Sequence, residues 1–175
     1  MLERIIGERI ILRRPRMSDA DAITKYCNDR SISKWIVAIP HPYRRKDAVK
    51  FLKDVSKKWK KKTDYQYYIE YEGKLVGTVG LHVKEDDRAE LGYWLGRPFR
   101  GKGLVTEAAK LLMKEGFRQL KLHRVYARFI KGNKPSESVM QKIGMKYEGT
   151  FREDVKRKGK YLDIVQYSIL RREFR

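Results

Sequence analysis

The strongest constraint on the fold of this chain is a change of periodicity between residues 65 and 120. Residues 65–95 alternate between apolar and polar side chains with a period of two, which predicts strands. A turn at Glu72-Gly73 divides the first two strands into a hairpin. After a loop with two glycines, residues 104–120 change to helical spacing. An antiparallel meander therefore leads through a glycine-bearing loop into a helix, with strands predicted at 65–71, 75–83 and 89–95.

The flanking segments complete an α/β chain of the α+β type. Helical spacing predicts helices at about 18–28, 44–62 and 136–143, the first capped by the side chain of Ser18 or Asp19 and the last closed by Gly144. Period two predicts further strands at 8–14, 123–130, 147–155 and 161–170, the last two joined by a turn at Lys158-Gly159. Because no linker interrupts the sequence, we expect a single domain over residues 1–175.

The chain is strongly basic, since 42 Lys and Arg against 22 Asp and Glu give a formal net charge of +20. Such a charge attracts polyanions such as nucleotides, ribosomal RNA or anionic lipid. The solvated surface of a heat-adapted protein is an equally good interpretation. Cys27 is the only cysteine, which excludes an intramolecular disulfide. With no leader peptide and no apolar run of about 20 residues, we expect a cytoplasmic protein without a membrane partner.

The loop at residues 96–103 has the chemistry of an anion site. Gly101 and Gly103 lack Cβ atoms where a ligand would approach the backbone, and N–H groups at the following helix start point toward an anion. Arg100 and Lys102 add positive charge, and the helix dipole contributes about half a unit charge. A diphosphate fits this description. The spacing matches neither the Walker loop nor the dinucleotide fingerprint, and an ordinary turn before a helix is the alternative.

The segment Arg100-Gly101-Lys102-Gly103-Leu104-Val105 resembles the Arg/Gln-x-x-Gly-x-Gly/Ala motif of the GNAT acetyltransferases. Other segments, in order along the chain, resemble the branch of this family that includes ribosomal-protein N-terminal acetyltransferases. They are Gly7-Glu8-Arg9, Gly77-Thr78-Val79-Gly80-Leu81, Ala89-Glu90-Leu91-Gly92-Tyr93-Trp94-Leu95, Thr106-Glu107-Ala108, Asn133-Lys134-Pro135-Ser136, Gly144-Met145 and Gly159-Lys160-Tyr161-Leu162-Asp163. The resemblance implies the GNAT fold, a mixed, mostly antiparallel central sheet that is splayed at the cofactor site and flanked by helices. It also implies acetyl-CoA as the cosubstrate.

The resemblance further implies which residues bind the cosubstrate. The pyrophosphate would be bound by Arg100, Gly101, Lys102, Gly103, Leu104 and Val105, and the pantetheine arm by backbone groups of Tyr93, Trp94 and Leu95 and by Asn133. Two positions depart from the family pattern. Val105 stands where Gly or Ala is usual, and Met145 replaces the usual Phe after Gly144.

Acyl transfer to an amine requires a base for the amine and an acid for the leaving thiolate. Glu90 is the family-matched base, acting through water, and its alternative role is an ion pair with one of the many Lys or Arg residues. The tyrosine acid of many relatives aligns with Met140, which has no proton to give. Ser136 matches the serine of the ribosomal branch, which would act as the acid or orient the thiol, with helix N-cap as its alternative role.

The remaining candidates are weaker. His41, His82 and His123 lack ligand spacing, so we expect no metal site. Cys27 is typical of a buried small hydrophobe. Among the aromatic residues, Trp35, Tyr43 and Trp59 line either the acceptor side of the cleft or the core.

These features favour an N-acetyltransferase that moves acetyl from acetyl-CoA to a primary amine, with the N-terminal amine of a ribosomal protein as the leading acceptor. The basic surface would then contact the ribosome or its RNA. The alternatives are a small-molecule amine as acceptor, such as an amino acid, polyamine or aminoglycoside, and a non-catalytic acetyl-CoA-binding or RNA-associated module. The sequence does not set the oligomeric state, and a homodimer is compatible with it.

Overall fold

The computed structural model describes residues 1–174, where one β-sheet carries α-helices on both faces. The strands are β1 (Arg4–Ile6), β2 (Ile10–Arg13), β3 (Asp64–Tyr71), β4 (Lys74–Lys84), β5 (Arg88–Leu95), β6 (Arg124–Ile130), β7 (Lys146–Arg157) and β8 (Lys160–Leu170). The α-helices are α1 (Ala20–Cys27), α2 (Arg30–Ser33), α3 (Arg45–Lys61), α4 (Leu104–Gln119) and α5 (Lys134–Lys142), and short 3-10 helices lie at Met17–Asp19, Arg97–Phe99 and Arg171–Glu173. No helix in this part of the chain combines the length and the apolar character needed to cross a membrane.

The eight strands lie in the order β1-β2-β3-β4-β5-β6-β8-β7. Every neighbouring pair is antiparallel except β5 and β6, which α4 connects as a parallel pair. That pair is in register only from Arg88 opposite Arg124 to Glu90 opposite Tyr126, and the two strands then diverge. The mixed, mostly antiparallel sheet with a splay at its centre is the fold predicted from the sequence, and the prediction is confirmed.

The periodic segments of the sequence form the predicted elements, with ends displaced by a few residues. Both predicted hairpin turns have positive φ at their two central residues, 51° and 70° at Glu72-Gly73 and 47° and 80° at Lys158-Gly159, as a two-residue type I′ turn requires. Gly144 closes α5 with a φ of 85°. The sequence analysis missed β1 and α2, because segments of three and four residues are too short to show a period.

The predicted side-chain cap of α1 is wrong. No side chain caps this helix. The Asp19 carboxylate instead accepts hydrogen bonds from the Arg13 guanidinium at 2.7 and 2.9 Å and from the Arg16 backbone N–H at 2.6 Å. The charge-assisted bonds to a half-buried arginine outcompete the helix N–H groups for this carboxylate.

Two hydrophobic cores hold the helices on the sheet. The larger core joins α4 and α5 to strand residues that include Val79, Leu81 and Leu91. The second core packs α1 and the first half of α3 against Tyr68 and Trp94. Because Leu91 and Trp94 are three residues apart on one strand, they lie on opposite faces of the sheet. The helices therefore form one layer on each side of the splay.

A polar network centred on Glu148 connects the edge strand β7 to β8 and β6. Glu148 on β7 accepts hydrogen bonds from the Arg124 guanidinium on β6, from Ser168 Oγ at 2.7 Å and from Gln166 Nε2 at 3.0 Å on β8. The pKa of Glu148 is lowered from 4.5 to about 2, mainly because Arg124 donates hydrogen bonds to it. Burial has the opposite, smaller effect on this pKa. The ionised carboxylate is therefore the form that stabilises this edge of the sheet.

We predict that Glu148→Gln lowers the free energy of unfolding at neutral pH and that the difference from the wild type shrinks in acid. The folded-state pKa lies below the unfolded value, so the contribution is complete above about pH 5 and is lost as the pH falls toward about 2. Urea unfolding of both proteins across this pH range measures the effect. Glu85→Gln, at an exposed carboxylate, is the control and is expected to leave the unfolding free energy nearly unchanged.

Candidate functional site

Two cavities meet where β5 and β6 diverge. The first, which we call the loop cavity, has a volume of about 450 Å³ and lies between the 96–103 loop, α4 and α5. The second, the sheet cavity, has a volume of about 710 Å³ and lies over strands β3 to β6, with walls from α1, α3 and residues 35–40. Tyr93, Trp94, Trp35 and Ile36 line both. A molecule that enters by the loop cavity can therefore reach the sheet cavity through the splay.

The 96–103 loop presents an uncapped helix start. Gly101 and Gly103 have φ angles of 81° and 76°, which favour glycine. Gly103 is the N-cap residue of α4, and no side chain caps this end. The N–H groups of the first turn are thus free to bind an anion, and the helix dipole adds positive potential there. Arg100 Nε donates to the carbonyl of Leu95 at 3.1 Å, which folds the loop against the end of β5.

A residue from the turn between β1 and β2 braces this loop. The backbone N–H and the Nε of Arg9 each donate to the Glu107 carboxylate at 2.9 Å, and Arg9 Nη1 donates to the Lys102 carbonyl at 2.9 Å. Arg9 Nη2 also lies 3.5 Å from where a Cβ on Gly103 would stand. The sequence analysis quoted Gly7-Glu8-Arg9 and Thr106-Glu107-Ala108 as separate motifs and did not connect them. Arg9 and Glu107 are 98 residues apart, and no local pattern signals such a contact.

Most of the residues predicted to bind the cosubstrate lie around the loop cavity. The residues that line it are Tyr93, Trp94, Leu95, Arg100, Gly101, Gly103, Leu104, Val105, Asn133 and Ser136. Lys102 does not line it, since its ammonium nitrogen lies 5.5 Å from the centroid of the Tyr71 ring. Only the backbone of Lys102 belongs to the loop surface. Trp35, a candidate for the cleft, and Thr106 of the Thr106-Glu107-Ala108 motif also line the cavity. Ser31 and Ile32 line it as well and were missed, because they carry no motif of their own.

Ser136 and Tyr93 form a hydroxyl pair at the junction of the two cavities. The Tyr93 hydroxyl lies 2.9 Å from Ser136 Oγ and 3.2 Å from the Ser136 carbonyl oxygen. Burial raises the pKa of Tyr93 to about 12, although the hydrogen bond with Ser136 opposes the shift. Asn133, not Ser136, is the N-cap of α5, and its side chain accepts the Ser136 N–H at 3.4 Å. The side chain of Ser136 is therefore not used for capping, while Tyr93 brings a phenol that sequence analysis had considered only for its backbone.

Glu90 lines the sheet cavity beside the splay. Its carboxylate accepts a hydrogen bond from the Tyr126 hydroxyl at 3.4 Å. The ion pairs within residues 1–174 do not include Glu90, so the structure gives no support to its alternative role in an ion pair. Burial, followed by the negative charge of Glu90, raises the pKa of Tyr126.

The remaining candidates from the sequence lie either at the sheet cavity or in the hydrophobic core. Trp35, Tyr43 and His82 line the sheet cavity, whereas Trp59 is packed in the larger core with its Nε1 donating to the Gln66 carbonyl at 2.9 Å. Cys27 is buried at the sheet cavity, and burial raises the pKa of its thiol to about 12. Within residues 1–174 no cluster of three or more His, Cys, Asp or Glu side chains is placed to hold a metal ion.

Comparison with known proteins shows the family of this chain. Residues 9–146 match the family model described as "Acetyltransferase (GNAT) domain". The match covers most of the chain, including the braced loop, the splayed strands and α5. The chain belongs to the GNAT acetyltransferase family.

Curated relatives and solved structures cover nearly the whole chain. An uncharacterized N-acetyltransferase, p20, from Bacillus licheniformis is 30% identical over 99% of both chains. A putative ribosomal N-acetyltransferase, YdaF, from Bacillus subtilis is 30% identical over 97% of this chain and 95% of its own. The crystal structure of microcin C7 self-immunity acetyltransferase MccE, in complex with acetyl-CoA and AMP, superimposes with a TM-score of 0.87 at 25% identity, over 94% of this chain and 93% of its own.

We predict that Arg9→Gln loosens the 96–103 loop without unfolding the protein. The substitution removes the guanidinium bonds to Glu107 and Lys102, so that only the bond from the Arg9 backbone N–H to Glu107 still connects the β1–β2 turn to this region. Hydrogen exchange followed by mass spectrometry is expected to show faster exchange at residues 100–107 in the variant. Arg4→Gln, at an exposed arginine of the neighbouring strand, is the control. Unchanged exchange at residues 100–107 in Arg9→Gln would show that Arg9 does not brace the loop.

Proposed function

We propose that this protein transfers the acetyl group of acetyl-CoA to the N-terminal amine of a protein, with ribosomal proteins as the favoured acceptors. The observation that carries the proposal is the connection between two cavities. An uncapped helix start opens on one side of the splay, and an unpaired carboxylate, Glu90, lies on the other. This arrangement suits a reaction between an anionic donor and an amine that approach from opposite faces of the sheet.

The loop cavity fits a pyrophosphate carried on a long arm. The free N–H groups of Gly101, Lys102, Gly103, Leu104 and Val105 bind the diphosphate, and Arg100 adds charge at the rim. The arm then follows the edge of β5, where the backbone of Tyr93, Trp94 and Leu95 is released from pairing with β6 beyond Glu90. Asn133 at the start of α5 donates its side-chain amide to the same arm. Acetyl-CoA, when bound, supplies the acetyl group as an activated thioester.

Glu90 acts as the base for the amine, through a water molecule. A primary amine is mostly protonated at neutral pH and attacks a carbonyl only after it loses a proton. With the Tyr126 hydroxyl as its hydrogen-bond partner and no cation paired with it, Glu90 is free to accept a proton from the attacking nitrogen.

Ser136 acts as the acid, with Tyr93 as its partner. The departing sulfur needs a proton or a hydrogen-bond donor, and the position of the family tyrosine holds the buried Met140. The Tyr93 phenol lies 2.9 Å from Ser136 Oγ. Because burial raises the pKa of Tyr93 to about 12, the phenol keeps its proton at neutral pH and can replace the proton that Ser136 donates.

The surface beside the sheet cavity favours an acceptor bound to RNA. Exposed lysines recur every three or four residues along α3, at Lys46, Lys50, Lys53, Lys57 and Lys60, and so lie on one side of the helix. Lys50 also lines the sheet cavity. A basic stripe of this kind binds phosphate backbones by counterion release, while a net charge of +20 repels cationic small amines at long range. The similarity to a putative ribosomal N-acetyltransferase agrees with this choice.

We predict that the purified chain, given acetyl-CoA and a library of N-terminal peptides and small amines, acetylates peptide N-termini. Mass spectrometry identifies the products. Glu90→Gln is expected to lower turnover by about 100-fold while it binds coenzyme A as the wild type does. Acetylation of polyamines, amino acids or aminoglycosides alone would show that the acceptor is a small amine and not a protein. Binding of coenzyme A with no transfer to any amine would mean a non-catalytic module.

We predict that Gly101→Asp weakens binding of coenzyme A at least about tenfold more than Gly101→Asn does, because like charges brought together cost several kcal/mol. A Cβ at this position meets nothing within 4 Å, and Asn and Asp both tolerate the left-handed conformation. The matched pair therefore separates charge from backbone strain. Isothermal titration calorimetry measures both affinities. Equal affinities would show that the diphosphate does not bind at this loop.

A further inference from the structure

A row of polar side chains crosses the sheet, and two of them, His82 and Glu90, line the sheet cavity. Asp64 on β3 is in register with His82 on β4, His82 with Glu90 on β5, and Glu90 with Tyr126 on β6. Residues paired across neighbouring strands project from the same face, with Cβ atoms about 5 Å apart. The strand pairing therefore brings an imidazole beside the carboxylate that the proposed function uses as its base.

Asp64 fixes the orientation of the His82 ring. The carboxylate is buried, with 4% of its side chain exposed, and its Oδ2 lies 2.7 Å from His82 Nδ1. When Nδ1–H donates to Asp64, Nε2 keeps its lone pair, as a base requires. The Gln66 side-chain amide lies on that side of the ring, with its nitrogen 3.4 Å from His82 Nε2.

Gly80 leaves the space that the Gln66 side chain occupies, and Gly92 lies beside His82. A Cβ on Gly80 would stand 2.4 Å from the Gln66 side chain, and a Cβ on Gly92 would stand 3.5 Å from His82 Nε2. Gln66 is buried, and its Oε1 has no hydrogen-bond partner within the described residues. Because a buried acceptor without a donor is costly, this oxygen is available to any molecule in the cavity that carries a hydrogen-bond donor.

The charges around His82 come from several elements. Lys58 on α3 lies 3.7 Å from Asp64 Oδ2 and is half-exposed. The other titratable or charged groups that line the cavity are Cys27, Tyr43, Asp47, Lys50, Asp54, Glu90, Tyr93 and Arg128. Arg128 is paired with Asp154. The sheet side of the cavity therefore presents acceptors, which suits a cationic amine.

We propose that Gln66, His82 and Glu90 form the site for the acceptor's primary amine, and that His82, oriented by Asp64, takes the first proton from its ammonium group. The inference rests on the proposed function and deepens it. The Gln66 oxygen and the Glu90 carboxylate accept two N–H groups of the ammonium, and the third displaces the long contact of the Gln66 amide nitrogen, 3.4 Å away, from His82 Nε2. Asp64 is a positioning residue, since it contacts His82 Nδ1 and acts on the amine only through the His82 ring.

The proton and bond changes balance over one turnover. The ammonium proton moves to His82 Nε2, and the imidazolium is stabilised by Asp64 and later releases this proton to solvent. The nitrogen forms a bond to the acetyl carbon as the bond from that carbon to sulfur breaks. The nitrogen then loses a second proton, to Glu90, while the sulfur gains one from Ser136. Return of the Glu90 proton through solvent to the hydroxyl pair restores the resting enzyme, and one proton is released overall.

The test compares the wild type with His82→Gln, Asp64→Asn and the control His123→Gln, which changes an exposed histidine outside both cavities. Each full-length protein is given acetyl-CoA and the unmodified form of a peptide that the wild type acetylates. At pH 7 we expect kcat/KM to fall about 100-fold in His82→Gln and about tenfold in Asp64→Asn. Both losses are expected to shrink as the pH rises past the pKa of the peptide amine, about 8, because the acceptor then arrives deprotonated. Calorimetry is expected to give the same coenzyme A affinity for all four proteins.

Each outcome decides the question. Wild-type kcat/KM in His82→Gln, or a loss that is the same at every pH in a variant that still binds coenzyme A, would overturn the amine site and leave the proposed function standing. A wild-type protein that transfers acetyl to no amine would overturn both. If His82→Gln loses affinity for coenzyme A, the variant has a structural defect. The pH dependence of the loss of kcat/KM in Asp64→Asn then decides whether the amine site exists.

Discussion

The divergence of β5 and β6 is the feature on which the rest of this structure depends. A parallel pair needs a crossover, and α4 supplies it, so the start of α4 lies where β5 ends. Pairing between the two strands stops at Glu90 and Tyr126, and from there the backbone of β5 faces an opening. Without this opening the sheet would be a continuous wall between its two helical layers. With it, the loop cavity and the sheet cavity share the side chains of Tyr93 and Trp94.

The electrostatics of the loop come from backbone geometry as much as from charged side chains. Lys102 turns its ammonium group toward the Tyr71 ring, and Arg100 uses its Nε on the Leu95 carbonyl. The groups aimed at the cavity are therefore N–H dipoles, which cannot turn away as a lysine side chain can. Arg9 and Glu107 hold these dipoles in place from outside the loop. A site ordered before its ligand arrives loses little entropy on binding.

The two faces of the sheet carry different chemistry. Alternation along β5 places Glu90 over the sheet cavity, beside His82 and Asp64, and directs Tyr93 to the opposite face, toward Ser136. In the reaction we propose, proton acceptors for the amine lie on one face and hydroxyl donors for the sulfur lie on the other. Keeping acid and base on separate faces prevents them from neutralising each other by direct contact.

The sequence alone determined the order of the longer elements and the position of the loop, because both follow from local signals. Period two predicted the strands, Glu72-Gly73 and Lys158-Gly159 predicted the turns of two hairpins, and Gly101 and Gly103 marked the start of α4. Glu90 and Ser136 were found by resemblance. What only the tertiary structure decided depends on contacts between distant residues. The Arg9 brace, the phenol of Tyr93 beside Ser136 and the row from Asp64 to Tyr126 each join residues from different elements, and strand register, which sets such contacts, follows from the packing of the whole sheet.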